Sequence, residues 1–262
     1  AQVIQTSPPK LRDKLYIPGK KGSITTEMVA RARRFGLMVY PLENDVINIL
    51  LEIHAGNPVL VMQNLGYNWM PKWHFSVALG YDLSNQTLIL QSGDKRFYEV
   101  SFSLFHKTWQ RADYWAVVIL QSDKLAQTAS VGVAMSAANQ LEQVAEYGAA
   151  LNAYQAMLDK WPDHNMARFG AGNAAFALGE FGRAVGYFSE FLLHQPKASF
   201  VWNNLAYSLA KQGCKTAAQA SIHCAIELDP KNANLQESAT ELELLSSNAS
   251  KTRCPQVLCP LD

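Results

Sequence analysis

Gly179-Glu-Phe-Gly-Arg-Ala184-Val-Gly-Tyr-Phe188-Ser-Glu-Phe-Leu-Leu-His-Gln-Pro196 reads as a turn, a helix and a stop, and its punctuation recurs in both directions along the chain. Moving 34 residues backward replaces Pro196 by Pro162, and moving forward by the same interval reaches Pro230. The small position Ala184 becomes Ala150 and Ala218, and the apolar position Phe188 becomes Tyr154 and Ile222. Gly179 is matched by Gly213 in the later copy and by Ala145 in the earlier one. A constant period with a small residue, an apolar residue four positions later and a terminal proline means stacked helical hairpins, each unable to bury its apolar face alone.

A period of 34 is that of the tetratricopeptide repeat. Three hairpins are expected over 131–164, 165–198 and 199–232, with Leu235 to Leu245 as a capping helix, so the repeat domain runs over 131–247. The residues from 248 to 262 read as a flexible tail. Such hairpins line a groove with the first helix of each pair, and the expected partner is a peptide or protein ligand. In this frame Asn173 is the ninth residue of the second repeat and Asn204 the sixth of the third, where groove-binding repeats use asparagine to hold a ligand's backbone. Phe169 and Phe200 stand at neighbouring positions where a carboxylate clamp would need basic residues, so either an aromatic, polar groove for an extended peptide or ordinary helix-surface asparagines are expected here.

The half before the repeats has a different grammar. Pro58 to Asn64 is an apolar strand, and Leu65 to Lys72 is a loop. Trp73-His-Phe-Ser-Val-Ala-Leu-Gly-Tyr81 alternates before the turn Asp82 to Gln86 and the return strand Thr87 to Gln91. Alternation puts Phe75, Val77, Leu79 and Tyr81 on one face and His74, Ser76, Ala78 and Gly80 on the other. Small side chains beside a histidine predict a helix packed closely over that face. They suit a thiol–imidazole pair, although a hydrogen-bonded structural histidine is the plainer reading.

Around this hairpin the order is helix (Ser23 to Arg34, closed by Gly36), strand (Leu37 to Pro41) and helix (capped by Asn44 or Asp45, with Val46, Ile49, Leu50 and Ile53 in a stripe). A strand at Phe97 to Phe102, a short helix at Leu104 to Ala112 and a buried strand at Tyr114 to Leu120 follow. This is an α+β order. Residues 1 to 23 read as a covering segment, and the polar run Gln121 to Ser130 as the boundary, which assigns 1–122 to the first domain.

Trp73-His-Phe-Ser-Val-Ala-Leu-Gly-Tyr-Asp82, preceded by Gly56-Asn-Pro-Val-Leu-Val61, resembles the histidine half of the papain-like peptidases that process double-glycine leader peptides. Tyr16-Ile-Pro-Gly-Lys-Lys-Gly-Ser23, Ala30-Arg-Ala-Arg-Arg-Phe-Gly36, Gln63-Asn-Leu-Gly66 and the repeats together resemble a bacterial family that joins such a domain to tetratricopeptide repeats. The resemblance implies a papain-like first domain, His74 as general base and then acid, and a cell-envelope location. It also implies a nucleophilic cysteine after a glutamine, upstream of the Tyr-Ile-Pro-Gly segment. Neither appears in this sequence, so the expected domain is N-terminally truncated and inactive as given.

A papain-like histidine needs an oxygen acceptor on the next strand. If Leu88 and Leu90 share the apolar face, Gln91 shares that of His74. Relatives carry an aspartate followed by proline near this point, whereas the local sequence is Gln91-Ser-Gly-Asp94. Gln91, or Asp94 if the strand bulges at Gly93, is therefore the expected third position.

The totals narrow the remaining classes. With 48% apolar residues both halves can bury cores. Residues 1–122 carry +4 and the rest −3, too little to argue for nucleic acid. The longest apolar run, Tyr114 to Leu120, is too short to span a bilayer. Six scattered histidines and no Cys-x-x-Cys pair predict no metal and no cofactor. Cys254 and Cys259 suit either a small disulfide loop or two free thiols, while Cys214 and Cys224 are too far apart along one helix to join. Two functions follow: a cysteine peptidase-like hydrolase with a binding domain, or a non-catalytic interaction scaffold built on the repeats.

Overall fold

The computed structural model describes residues 25–244 and 254–260. The covering segment expected before Thr25 and the stretch 245–253 lie outside the described residues. The chain forms two compact units, Ala1–Ala149 and Ala150–Asp262. The division falls inside the first helical hairpin, whereas the sequence places its boundary in the polar run after residue 121.

In the first unit, α1 (Thr25–Arg34) ends at Gly36, whose φ of 70° closes the helix, and leads into β1 (Leu37–Pro41). The helix α2 (Val46–His54) starts where the Asp45 carboxylate accepts from the Ile47 N–H. Then come β2 (Val59–Asn64), β3 (Trp73–Asp82), β4 (Thr87–Ser92) and β5 (Lys95–Ser101). Ser101 caps α3 (Phe102–Gln110), so Phe102 opens a helix and does not end a strand; β6 (Ala116–Gln121) follows. The six strands form one antiparallel sheet in the order β1-β6-β2-β3-β4-β5.

Register shows which face is the core. Val118, Val59, Ala78 and Leu90 lie side by side across four strands, and all are buried. The face of small residues is thus the closed one, and Phe75, Val77 and Leu79 line the more open side. On that second side Ala32 and Val29 of α1 pack against Val39, Val117 and Leu60. The helix α4 (Val131–Gln143), capped by Ser130, also lies against β1.

Glu52 ties the polar run before α4 to the sheet unit. Its carboxylate is fully buried and accepts from Asn57 Nδ2 (2.8 Å), Gln127 N (3.2 Å), Thr128 N (2.7 Å) and Thr128 Oγ1 (2.6 Å). A buried carboxylate with this many donors is satisfied, and each bond to a charged acceptor contributes about 1.5–3 kcal/mol. Burial and the charge on Glu52 push the nearby Tyr40 phenol well above its ordinary pKa, and its hydroxyl donates to Lys124 O.

The helices α5 (Tyr147–Lys160), α6 (Asn165–Ala177), α7 (Phe181–His194), α8 (Ser199–Lys211), α9 (Lys215–Leu228) and α10 (Ala233–Leu244) complete the described helical part. Each hairpin turn is built the same way. Ala145, Gly179 and Gly213 have φ of 61°, 77° and 88°, and the next residue donates back to Leu141, Ala175 and Leu209. A left-handed residue closing a six-residue hydrogen bond is the glycine-type helix stop, which Ala145 adopts at a cost glycine avoids. Gly170 and Gly172 let α6 meet rings: a Cβ at Gly172 would lie 2.5 Å from Phe188 Cε1, and one at Gly170 would strike Tyr154.

The cysteine expectation is corrected. Cys254 and Cys259 are neither free nor joined to each other. Cys214 bonds Cys254, and Cys224 bonds Cys259, with Cα–Cα distances of 5.5 and 5.4 Å. The tail expected to be flexible is therefore fastened at both ends of Cys254 to Cys259. Helix spacing excluded only a Cys214–Cys224 bond; it said nothing of a chain end returning to α9.

Candidate functional site

His74, the second residue of β3, stands directly opposite Gln63 of β2. Its ring is half-buried, and Nε2 lies 2.7 Å from Ser92 Oγ. Burial first, and the positive charge of Lys72 second, hold the imidazole below its ordinary pKa of 6.5, which favours the uncharged ring. Engaging Nε2 with a hydroxyl leaves Nδ1 as the nitrogen for any further partner.

The wall beside this ring is a chain of satisfied polar groups. Ser76 Oγ donates to Gln63 Oε1 (3.1 Å), Gln63 Nε2 donates to Thr108 Oγ1 (2.7 Å), and Thr108 Oγ1 donates to Phe105 O (2.8 Å). All three side chains are buried. The helix expected over the small face is thus α3, and its hydroxyl reaches Gln63.

Gln91 does not meet His74. Its amide donates to Gly93 O at 2.8 Å, and in the register Gln91 faces Val77. The choice of Gln91 requires Leu88 and Leu90 to lie with Phe75 and Val77, and they do not. Ala78 pairs with Leu90, and a bulge between Ala78 and Gly80 then brings Tyr81 opposite Leu88. Leu88, Leu90 and Ser92 consequently share the side of His74, and Ser92 is the hydrogen-bond partner that correct parity selects. Asp94 is exposed in the β4–β5 turn, and the hydrogen-bond partner of the His74 ring is Ser92.

Immediately before His74 the β2–β3 loop is clamped by the buried Asn64, whose Oδ1 accepts from Gly66 N and Lys72 N, both at 2.9 Å. The clamp holds Tyr67 and Trp69 stacked at 5.9 Å in the solvent.

The second unit brings its two asparagines together. Asn204 Nδ2 donates to Asn173 Oδ1 at 2.9 Å. With Phe176, Phe188 and Tyr207 they line a cavity of about 220 Å³. Tyr207 donates to Glu241 of α10, and burial together with that carboxylate raises the phenol's pKa. Phe169 makes edge contact with Phe200 at 5.1 Å and packs on Phe188 at 5.9 Å. Phe176, Tyr207 and Glu241 escaped the sequence reading, although Phe176 lies one helical turn after Asn173 and Tyr207 one after Asn204, a signal that was available.

A family model described as tetratricopeptide repeat matches residues 135–199 and again 170–233. The helical part therefore carries tetratricopeptide repeats, which bind peptide or protein partners. No curated protein matches the chain. The first unit is an antiparallel sheet with helices on both sides, and its papain-like identity rests on the sequence resemblance alone. Among the described residues no helix is long and apolar enough to cross a membrane.

Proposed function

We propose that this protein is an interaction protein whose repeat groove holds an extended peptide segment of a partner. The observation that carries the reading is the Asn173–Asn204 pair among Phe176, Phe188 and Tyr207. Two amides that satisfy each other in the free protein can open to pair with a peptide's N–H and C=O, while the rings take apolar side chains. Glu241 beside Tyr207, with Glu237 also acting on that phenol, favours a ligand bearing a basic side chain.

The experiment is fluorescence anisotropy with labelled extended peptides that do or do not contain lysine. Asn173→Ala with Asn204→Ala is expected to weaken the best binder about tenfold or more, and Glu241→Gln to weaken only lysine-containing peptides. Affinity unchanged in the double variant overturns the groove assignment.

The hydrolase reading is supported by the resemblance and by a half-buried imidazole, its pKa lowered, that is hydrogen-bonded to Ser92. All four cysteines are bonded in pairs, so it requires a nucleophile from outside this sequence. Peptide turnover by the chain as given that survives His74→Ala would defeat it.

A further inference from the structure

We propose that the Cys214–Cys254 bond is a thiol–disulfide exchange site, and that the segment Cys254 to Pro260 is a strap released when a dithiol opens it. The two disulfides of the second unit differ in access. Cys214 and Cys224 are each about 1% exposed, so neither helix-side sulfur is open to attack. On the strap, Cys254 is exposed and Cys259 only partly so. Cys254 is thus the most exposed of the four cysteines and the side from which a solvent thiolate approaches, and access governs exchange.

The leaving side is also unequal. Cys214 is the N-cap residue of α9, and no side chain accepts a hydrogen bond at that cap. A thiolate expelled from Cys214 is left at a helix N-terminus, where the backbone N–H groups and the helix dipole stabilise negative charge. Cys224 lies in the interior of α9 and has no such help.

The chemistry balances with a dithiol as reductant. Its thiolate bonds to Cys254 Sγ, the Cys214–Cys254 bond breaks, and Cys214 leaves as thiolate. The second thiol of the reductant, deprotonated, then attacks its own sulfur in the mixed disulfide and expels the Cys254 thiolate. The reductant departs as a disulfide, two electrons pass to the protein, and the two cysteines end as thiols once protonated.

What the strap covers gives the opening a consequence. Val257 and Leu258 form one wall of a cavity of about 250 Å³ whose other wall includes Leu192, Leu193, Trp202 and Leu205 of α7 and α8. With both bonds closed the strap is held at both ends of this apolar slot. With Cys214–Cys254 open, Cys224–Cys259 is the one remaining disulfide on the strap, and the slot can open to water.

The test uses the full chain, titrated with dithiothreitol, quenched with iodoacetamide and mapped by mass spectrometry. Alkylation of Cys214 and Cys254 is expected to run roughly tenfold or more ahead of that of Cys224 and Cys259. In that first stage, fluorescence of an apolar dye rises while helical circular dichroism holds. Simultaneous reduction of both bonds, or earlier reduction of Cys224–Cys259, overturns the proposal. Loss of helicity in the first stage does so as well, since the bond would then be a staple of the repeat. The Cys214→Ser, Cys254→Ser double variant is expected to bind the dye without reductant; if it fails to fold, the native titration still decides.

Discussion

Substituting Gly172 by alanine should destabilise the repeat unit, although alanine is the better helix former. In the interior of α6, exchanging glycine for alanine gains about 0.5–1 kcal/mol of helical preference. Against this, the new Cβ would lie 2.5 Å from Cε1 and 2.8 Å from Cδ1 of Phe188. That ring is 1% exposed and hemmed by Phe169, so it has nowhere to swing. Overpacking of this kind costs about 1–3 kcal/mol, leaving a net loss of up to about 2.5 kcal/mol and about 1 kcal/mol at the middle of both ranges. Gly186, in the neighbouring α7, is the internal control, because it is exposed and no atom lies within 4 Å of its added Cβ. Gly186→Ala should therefore gain about 0.5–1 kcal/mol. Urea unfolding followed by far-ultraviolet circular dichroism should separate the two midpoints by on the order of 1 M. A Gly172→Ala midpoint at or above that of the parent would refute the claim that α6 and α7 meet through that missing methyl.

Two further outcomes test the sheet unit. Glu52→Ala strands the donors of Asn57, Gln127 and Thr128 and should cost about 3–5 kcal/mol, with Glu52→Gln losing less; thermal melts and amide exchange at Thr128 read the effect, and an unprotected Thr128 amide in the parent would contradict it. For His74, proton NMR should give a titration midpoint below 6.5, moved upward by Lys72→Met. Because the folded-state value is depressed, the folded protein binds fewer protons than the unfolded chain between the two pKa values. The contribution is therefore complete above 6.5 and falls away as pH drops through that window, a dependence His74→Gln should abolish.

The repeats were legible because their signal is redundant. Pro162, Pro196 and Pro230 each follow a helix end by two residues, and the three turn residues keep the same left-handed geometry even where Ala145 replaces glycine. The strand at His74 was legible in extent, and its small side chains pointed to the helix that packs over them: Ser76 and Ala78 are buried. Alternation within one strand does not show which face Leu88 and Leu90 of the return strand share, because that depends on the register across the bulge. Ser92 was missed through that inversion. The disulfides were missed because pairing partners 40 and 35 residues apart depend on where the chain end returns. The groove asparagines were found from repeat position, but not their bond to each other, which requires two repeats in register.

Leu79 makes the β3–β4 hairpin hard to slide. Before the bulge the strand keeps one alternation and after it the opposite one, so a one-residue slip would set both Ala78 and Tyr81 against residues of the wrong face. The irregularity acts as an index mark that admits a single alignment of the two strands. His74 and Ser92 are held within bonding distance by that alignment.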